Sequence, residues 1–176
     1  MIDSYYEFDV DSNIWPNRKE LYNQFVSKHR ELINTKPTYK KIYYNFDAGS
    51  SPEFDKLYDT FIEACEHIFG KLTISSNNRR NCWVCVSDRY TNQSVHNHKD
   101  SAVINGVYYF SVPDIKSGKL RFYDEANLLL NEFQPTPNTL ILFPNYLHHQ
   151  PSNCDSDEYR ISINMELLCE EKVWND

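Results

Sequence analysis

Apolar positions along this chain change their period once. In the first half, Leu21, Phe25, Leu32 and Ile33 recur at spacings near three, four and seven behind an opening Pro16-Asn17 pair, which predicts an amphipathic helix. A second helix is predicted where Ser51 precedes Pro52. Proline suits a first helical position because the N–H it lacks would be unpaired there anyway, and Phe54, Leu57, Tyr58, Phe61, Ile62, Cys65, Ile68 and Phe69 then line one face before Gly70 ends it. Between the two, Tyr39 to Phe46 reads as a strand. Beyond about residue 80 the apolar runs shorten and become rich in β-branched and aromatic residues. Cys82 to Ser87, Val103 to Val112, Lys119 to Tyr123, Thr139 to Phe143 and Tyr159 to Leu168 are the predicted strands, divided by Pro-Asp, Ser-Gly and Pro-Asn turn segments.

Helices followed by strands indicate an α+β, mainly β domain in which the helices cover one face of a double-sheet jelly roll. No repeat, low-complexity tract or linker interrupts the chain. It reads as one domain over 1–176, helical to about residue 80 and a jelly-roll core from about 81 to 168. Glu125 to Asn138, containing Leu128-Leu129-Leu130, is expected to be a long loop or extra hairpin, and near a catalytic mouth it would serve as a lid.

Composition narrows the function classes. A formal net charge of -7 without a run of Lys or Arg gives no electrostatic footprint for nucleic acid or an anionic membrane. Five scattered cysteines and an N-terminus without a charged-then-apolar leader favour a reducing cytoplasm, and no apolar run reaches the length of a membrane span. With only four glycines, a Gly-rich phosphate loop is disfavoured, whereas the thirteen tyrosines most simply fill the core and cover the sheets.

Chemistry concentrates in two histidine clusters. His96-Asn97-His98-Lys99-Asp100 lies about fifty residues before His148-His149, and Arg160-Ile161-Ser162 begins eleven residues after His149. Imidazole and carboxylate ligands on one face of a metal, with the other face open, describe a non-haem Fe(II) site. Side chains two apart on a strand share a face, so the first cluster can be read in two registers. One is a His96-x-His98 pair; the other is His98-x-Asp100, and His149 completes either set. An arginine on an apolar strand beyond the last histidine suits a carboxylate-bearing co-substrate, because its fork of donors matches a carboxylate bidentately.

These residues resemble a group of small Fe(II)/2-oxoglutarate-dependent oxygenases found in bacteria and their phages. The resemblance is carried by His96-Asn-His98-Lys-Asp-Ser101 running into Asn105-Gly106-Val107-Tyr108-Tyr109-Phe110, by Trp83 to Ser87, and by Ser117-Gly118-Lys119-Leu120-Arg121-Phe122. Phe143-Pro144-Asn145-Tyr146-Leu147-His148-His149 and Arg160-Ile161-Ser162-Ile163-Asn164 follow in the family's order. Asn105 stands where the group usually has serine, and Tyr146 where it has tryptophan. The resemblance covers roughly residues 80 to 168. It implies Fe(II) and 2-oxoglutarate as cofactors and His96, His98 and His149 as metal ligands; Asp100 in place of His96, a position without a fixed carboxylate in the group, stays open as the alternative register that strand alternation allows. It further implies that Arg160 binds the far carboxylate of 2-oxoglutarate with help from Ser162 and Tyr109, and that a substrate of unidentified class, protein, nucleic acid or small molecule, is hydroxylated with release of succinate and CO2. The rival readings are a non-catalytic jelly-roll binding module and a cupin-type metalloenzyme that does not use 2-oxoglutarate.

Other residues attract less weight. Cys82-x-x-Cys85 has metal or redox spacing, but residues three apart on a strand face opposite ways, so these are expected to be structural thiols. His29 and His67 are expected to be helix-packing or surface residues. Asn97, Lys99, Gln150 and Asn164 are candidates to support the metal ligands from behind, while Asp124, Glu125, Glu166, Glu170 and Glu171 are expected to be solvated charges.

Overall fold

The computed structural model describes residues 5–35, 43–47, 51–91, 93–100, 102–113 and 118–174. Residues 39–42 of the expected first strand, Ser101 and Ser117 lie outside these. The elements are, in chain order, β1 (Tyr6–Asp9), a 3-10 turn (Ser12–Ile14), α1 (Arg18–Thr35), β2 (Tyr43–Asp47), α2 (Pro52–Phe69), β3 (Asn81–Ser87), β4 (Ile104–Ser111), β5 (Leu120–Tyr123), β6 (Leu129–Phe133), β7 (Thr139–Pro144), β8 (His148–Pro151) and β9 (Arg160–Leu167). Both helices and the five later strands expected from periodicity are present. The α+β, mainly β class stands.

The strands form a six-stranded sheet in the order β1-β7-β4-β9-β3-β2 and a three-stranded sheet in the order β6-β5-β8. All pairings are antiparallel. The smaller sheet is extended at its β8 edge by the segment carrying His96, which exchanges two backbone hydrogen bonds with His149, His96 N–H to O at 3.1 Å and His149 N–H to O at 2.8 Å.

Each face of the large sheet has its own core. On the outer face, Cys82, Val84 and Val86 of β3, Ile104, Tyr108 and Phe110 of β4, and Ile161, Ile163, Met165 and Leu167 of β9 pack against α1 and α2. The stripe on α2 is the one its period anticipates: Phe54, Leu57, Tyr58, Phe61 and Cys65 are fully buried, each large apolar side chain contributing about 1.5–3 kcal/mol relative to exposure. On α1 the stripe is narrower, with Phe25 and Val26 buried and Ile33 in solvent. At Gly106 the Phe61 ring of α2 lies close against the sheet. A Cβ there would stand 2.7 Å from the Phe61 ring. The helical layer is keyed to the sheet by a polar chain in which Trp15 Nε1 donates to Tyr108 Oη (3.0 Å), Tyr108 donates to Asn138 Oδ1 (3.0 Å), and Arg18 donates to that same oxygen and to the Phe110 carbonyl.

On the inner face, Val107, Tyr109, Ile141 and Phe143 meet Leu120, Phe122 and Phe133 of the small sheet. Glu125 to Asn138 is the β5–β6 hairpin continuing into β7. Its turn carries Asn127 at φ 60°, and Leu128, Leu129 and Leu130 stand more than half exposed and do not line the inter-sheet cavity.

Candidate metal centre and cavity

Period-two alternation delivers the functional side chains. On β9, Arg160, Ser162, Asn164 and Glu166 turn toward the small sheet, while Ile161, Ile163, Met165 and Leu167 turn into the helical core. On β3, Trp83, Cys85 and Ser87 alternate with the buried apolar positions in the same way. The two cysteines of Cys82-x-x-Cys85 consequently face opposite ways, and none of the five cysteines is in a disulfide. Together with Gln93, His96, His98, Val107, Tyr109, Leu120, His149 and Pro151, these residues enclose a cavity of about 380 Å³ at one end of the inter-sheet space.

His96, His98 and His149 converge there, one ring nitrogen of each lying within 4.8 Å of the others. The alternation along β8 decides between the adjacent histidines. His149 is buried in the cluster, and His148 points away to Asn97, its Nε2 3.1 Å from Nδ2. The segment bearing His98 is stitched to the β7–β8 turn by His98 N–H to Asn145 O (2.8 Å) and by Asn145 Nδ2 reaching the carbonyls of Lys99 and Ala102. Asp100 occupies the exposed turn after His98 and is not part of the three-imidazole group.

Every histidine of the cluster has its Nδ1 held by an acceptor. Nδ1 of His96 lies 2.9 Å from Ser94 O, that of His149 3.1 Å from Leu147 O, and that of His98 2.8 Å from Glu166 Oε1. A carbonyl can only accept, so Nδ1 carries the proton in His96 and His149, leaving Nε2 with its lone pair. This is the tautomer a metal requires. Burial holds the His149 imidazole well below its ordinary pKa, and the neighbouring imidazoles of His96, His98 and His148 add to that against the opposing Leu147 carbonyl, so the ring is neutral and ready to ligate. The donor set therefore fits a divalent transition metal.

At the buried end of the cavity stands Arg160, 3% exposed. Its Nη1 donates to the carbonyls of Gly118 and Ser152, and its Nη2 donates to Ser87 Oγ at 3.1 Å. Its Nε has no partner, and among the described residues no carboxylate lies within ion-pair distance. Gly118 is required at this point: its φ is 71°, and a Cβ would meet Arg160 Nη1 at 3.2 Å. Ser162 and Tyr109, which pair across β9 and β4, line the cavity beside it. Burial pushes the Tyr109 phenol up, against the pull of the Arg160 charge, so the hydroxyl stays a neutral donor.

Several contributors lack an obvious signal in the sequence. Glu166, expected to be a solvated charge, instead holds His98; the period-two run Arg160, Ser162, Asn164 extended by one step is the signal that finds it. Gln93, whose Nε2 lies 3.1 Å from His96 Nε2, falls in no motif, and Ser87 closes the Trp83-to-Ser87 segment without a residue role of its own in the sequence. Gln150 braces the smaller sheet, accepting from Tyr123 Oη and donating to Gln93 O, and Asn164 donates to Trp83 O and Cys85 Sγ. Lys99 is exposed in the turn with Asp100.

No family model matches this sequence, and no curated protein matches it. Solved structures do. Over 94% of this chain and 92% of that one, it superimposes on a Pseudomonas putida prolyl-4-hydroxylase with a TM-score of 0.67 at 11% identity. A Trichoplax adhaerens prolyl hydroxylase, in complex with a hypoxia inducible factor oxygen degradation domain peptide fragment, gives 0.67 at 14% identity over 97% and 86% of the two chains. The viral collagen prolyl hydroxylase of Paramecium Bursaria Chlorella virus-1, in its 2-oxoglutarate complex, gives 0.56 at 15% identity over 93% and 95%. At such identities the likeness is one of fold. The chain has the double-stranded β-helix fold of these oxygenases, flanked by helices.

Proposed function

We propose that this chain is a non-haem Fe(II)- and 2-oxoglutarate-dependent dioxygenase that hydroxylates its substrate with release of succinate and CO2. The observation that carries the reading is one cavity holding three converging imidazoles, each with Nδ1 held by an acceptor, together with a buried arginine that has no carboxylate partner among the described residues. His96, His98 and His149 would hold the metal. Arg160 would take the far carboxylate of the 2-oxo acid through its fork, with the hydroxyls of Ser162 and Tyr109 closing around it. Bound iron supplies the redox chemistry that couples oxidative decarboxylation of the 2-oxo acid to oxygen insertion into a C–H bond. The chain supplies orientation and dryness: Val107, Leu120 and Tyr109 wall the buried end.

Exposure gives the cavity a direction. Arg160, Ser87, Tyr109, Leu120 and Ser162 are buried, whereas Trp83, Cys85, Gln93, His98 and Asn164 are only partly so. The primary substrate would therefore enter over the indole and amides and meet the metal from that side. The peptide held by the Trichoplax neighbour makes a protein side chain one class to test first. Among the described residues no helix is long and apolar enough to cross a membrane.

Anaerobic addition of Fe(II) and 2-oxoglutarate should produce a metal-to-ligand charge-transfer band in the green, and admission of oxygen should yield succinate. The all-imidazole cluster favours a second reading, a metalloenzyme of the same fold that does not use 2-oxoglutarate. Iron binding without the band would select that one. Failure to bind any divalent transition metal would sink both.

A further inference from the structure

We propose that Glu166 is a positioning residue for the metal, supplying through His98 the negative charge that a carboxylate ligand would otherwise supply directly. The inference rests on the metal-site reading above. Among the described residues the cluster consists of three imidazoles and contains no carboxylate, while Asp100, the acid closest in sequence, stands in an exposed turn. One hydrogen bond behind the cluster, Glu166 Oε1 lies 2.8 Å from His98 Nδ1. The other two histidines rest on backbone carbonyls, which orient a ring without carrying charge. His98 is backed by an anion. A carboxylate accepting from the far N–H of a ligating imidazole makes that imidazole a stronger donor.

Charge bookkeeping gives the arrangement its purpose. With three neutral imidazoles, the dication is cancelled by a dianionic 2-oxo acid, and the buried Arg160 cation is then left over. Glu166 cancels it. A set of two histidines and one carboxylate reaches the same neutrality with the anion on the metal; here it sits one imidazole further out, on the same face of β9 as Arg160. Its place is fixed from behind as well, because Tyr58 Oη on α2 donates to the Glu166 carbonyl. The carboxyl group is only partly buried, at 21% side-chain exposure, so replacing it does not hollow the core.

Glu166→Gln separates charge from geometry, because the amide oxygen still accepts from Nδ1–H and preserves the tautomer. Fe(II) and Zn(II) affinities would be measured by anaerobic titration of the full chain without 2-oxoglutarate, alongside Glu166→Ala and Glu166→Asp. The expected result is a loss of 10- to 100-fold in Glu166→Gln, on the order of that in Glu166→Ala, with partial recovery in Glu166→Asp. The charge-transfer band with Fe(II) and 2-oxoglutarate should also move to shorter wavelength in Glu166→Gln, because a less electron-rich metal gives up its electron at higher energy. Glu166→Gln binding metal within twofold of the parent, with an unshifted band, would overturn the proposal and leave Glu166 a hydrogen-bond acceptor only. An unmodified chain that fails to bind metal would instead refute the metal site itself, a distinct result. A thermal melt of each variant without metal, unchanged from the parent, shows that the loss is not one of folding.

Discussion

Replacing Arg160 with alanine tests the co-substrate assignment most sharply. The guanidinium is buried, three of its hydrogen bonds go to neutral oxygens of Gly118, Ser152 and Ser87, and Nε is unmet. A cation kept out of water without an anion is costly, and a ligand carboxylate arriving at it recovers much of that cost. Two charge-assisted hydrogen bonds at about 1.5–3 kcal/mol each amount to about 3–6 kcal/mol, and each 1.4 kcal/mol is about tenfold in affinity, so Arg160→Ala should weaken 2-oxoglutarate by about two to four orders of magnitude. Thermal shift under anaerobic Fe(II) reads this directly. At a hundred times its dissociation constant a ligand stabilises the folded chain by about 2.7 kcal/mol. For a chain of this size that raises Tm by about 5–10 °C, and the rise should vanish in Arg160→Ala at the same concentration. Arg160→Lys keeps the charge and loses the fork, so it should fall between the two. An Arg160→Ala chain that binds 2-oxoglutarate within threefold of the parent would remove Arg160 from the site.

Three further outcomes are expected. Asp100→Ala should bind Fe(II) within twofold of the parent while His96→Ala loses at least tenfold; isothermal titration giving the reverse pattern would restore the His98-x-Asp100 register. His29 is fully buried, its Nε2 lies 3.3 Å from Asp88 Oδ2, and burial lowers its pKa despite that carboxylate, so it is neutral when folded. Below pH 6.5 the unfolded imidazole binds a proton that the folded one does not, so stability present above that pH is lost as the pH falls, by up to about 1.4 kcal/mol per unit. His29→Gln should flatten this part of the Tm-against-pH curve, and parallel curves would refute the assignment. Gly106→Ala should cost about 1–3 kcal/mol in denaturant unfolding, because its Cβ meets the Phe61 ring at 2.7 Å, and Phe61→Leu added to it should recover part of that loss. A neutral Gly106→Ala would show that α2 can shift away from the sheet.

What the sequence disclosed about the fold tracks how strongly each segment's apolar residues repeat. On α2 the stripe is nearly complete, and helix and buried face are both legible. Strands β4, β7 and β9 are apolar on both faces or strictly alternating, and their limits fall within a residue or two of expectation. β1 and β8 carry weaker signals. Tyr6-Glu7-Phe8-Asp9 alternates apolar and acidic residues over only four positions, and His148-His149-Gln150-Pro151 has no aliphatic residue; their neighbours β7 and β5 hold them as strands. The site follows the same logic. His96, His98, His149 and Arg160 announce themselves by residue type and spacing. Glu166 does not, because a lone glutamate near a strand end reads as solvent-facing until the register shows which face it shares.

That register explains why the helical half of the chain matters to the chemistry. At about 3.3 Å per residue, Arg160 and Glu166 stand about 20 Å apart along one strand face, with Ser162 and Asn164 between them. The proposed co-substrate clamp and the anion behind His98 therefore move only as β9 moves. β9 is central in its sheet, held by β4 on one side and β3 on the other, and its reverse face is sealed by Ile161, Ile163, Met165 and Leu167 against the helical layer. A strand fixed on both edges and one face holds groups to the few tenths of an ångström that metal and carboxylate recognition demand. The alternation that splits β9 into a polar face and an apolar one thus joins the helical core to the proposed reaction centre. A cavity opened beneath Ile163 or Met165 by truncation should for that reason weaken 2-oxoglutarate and metal binding together, although both side chains lie in the helical core and neither lines the cavity.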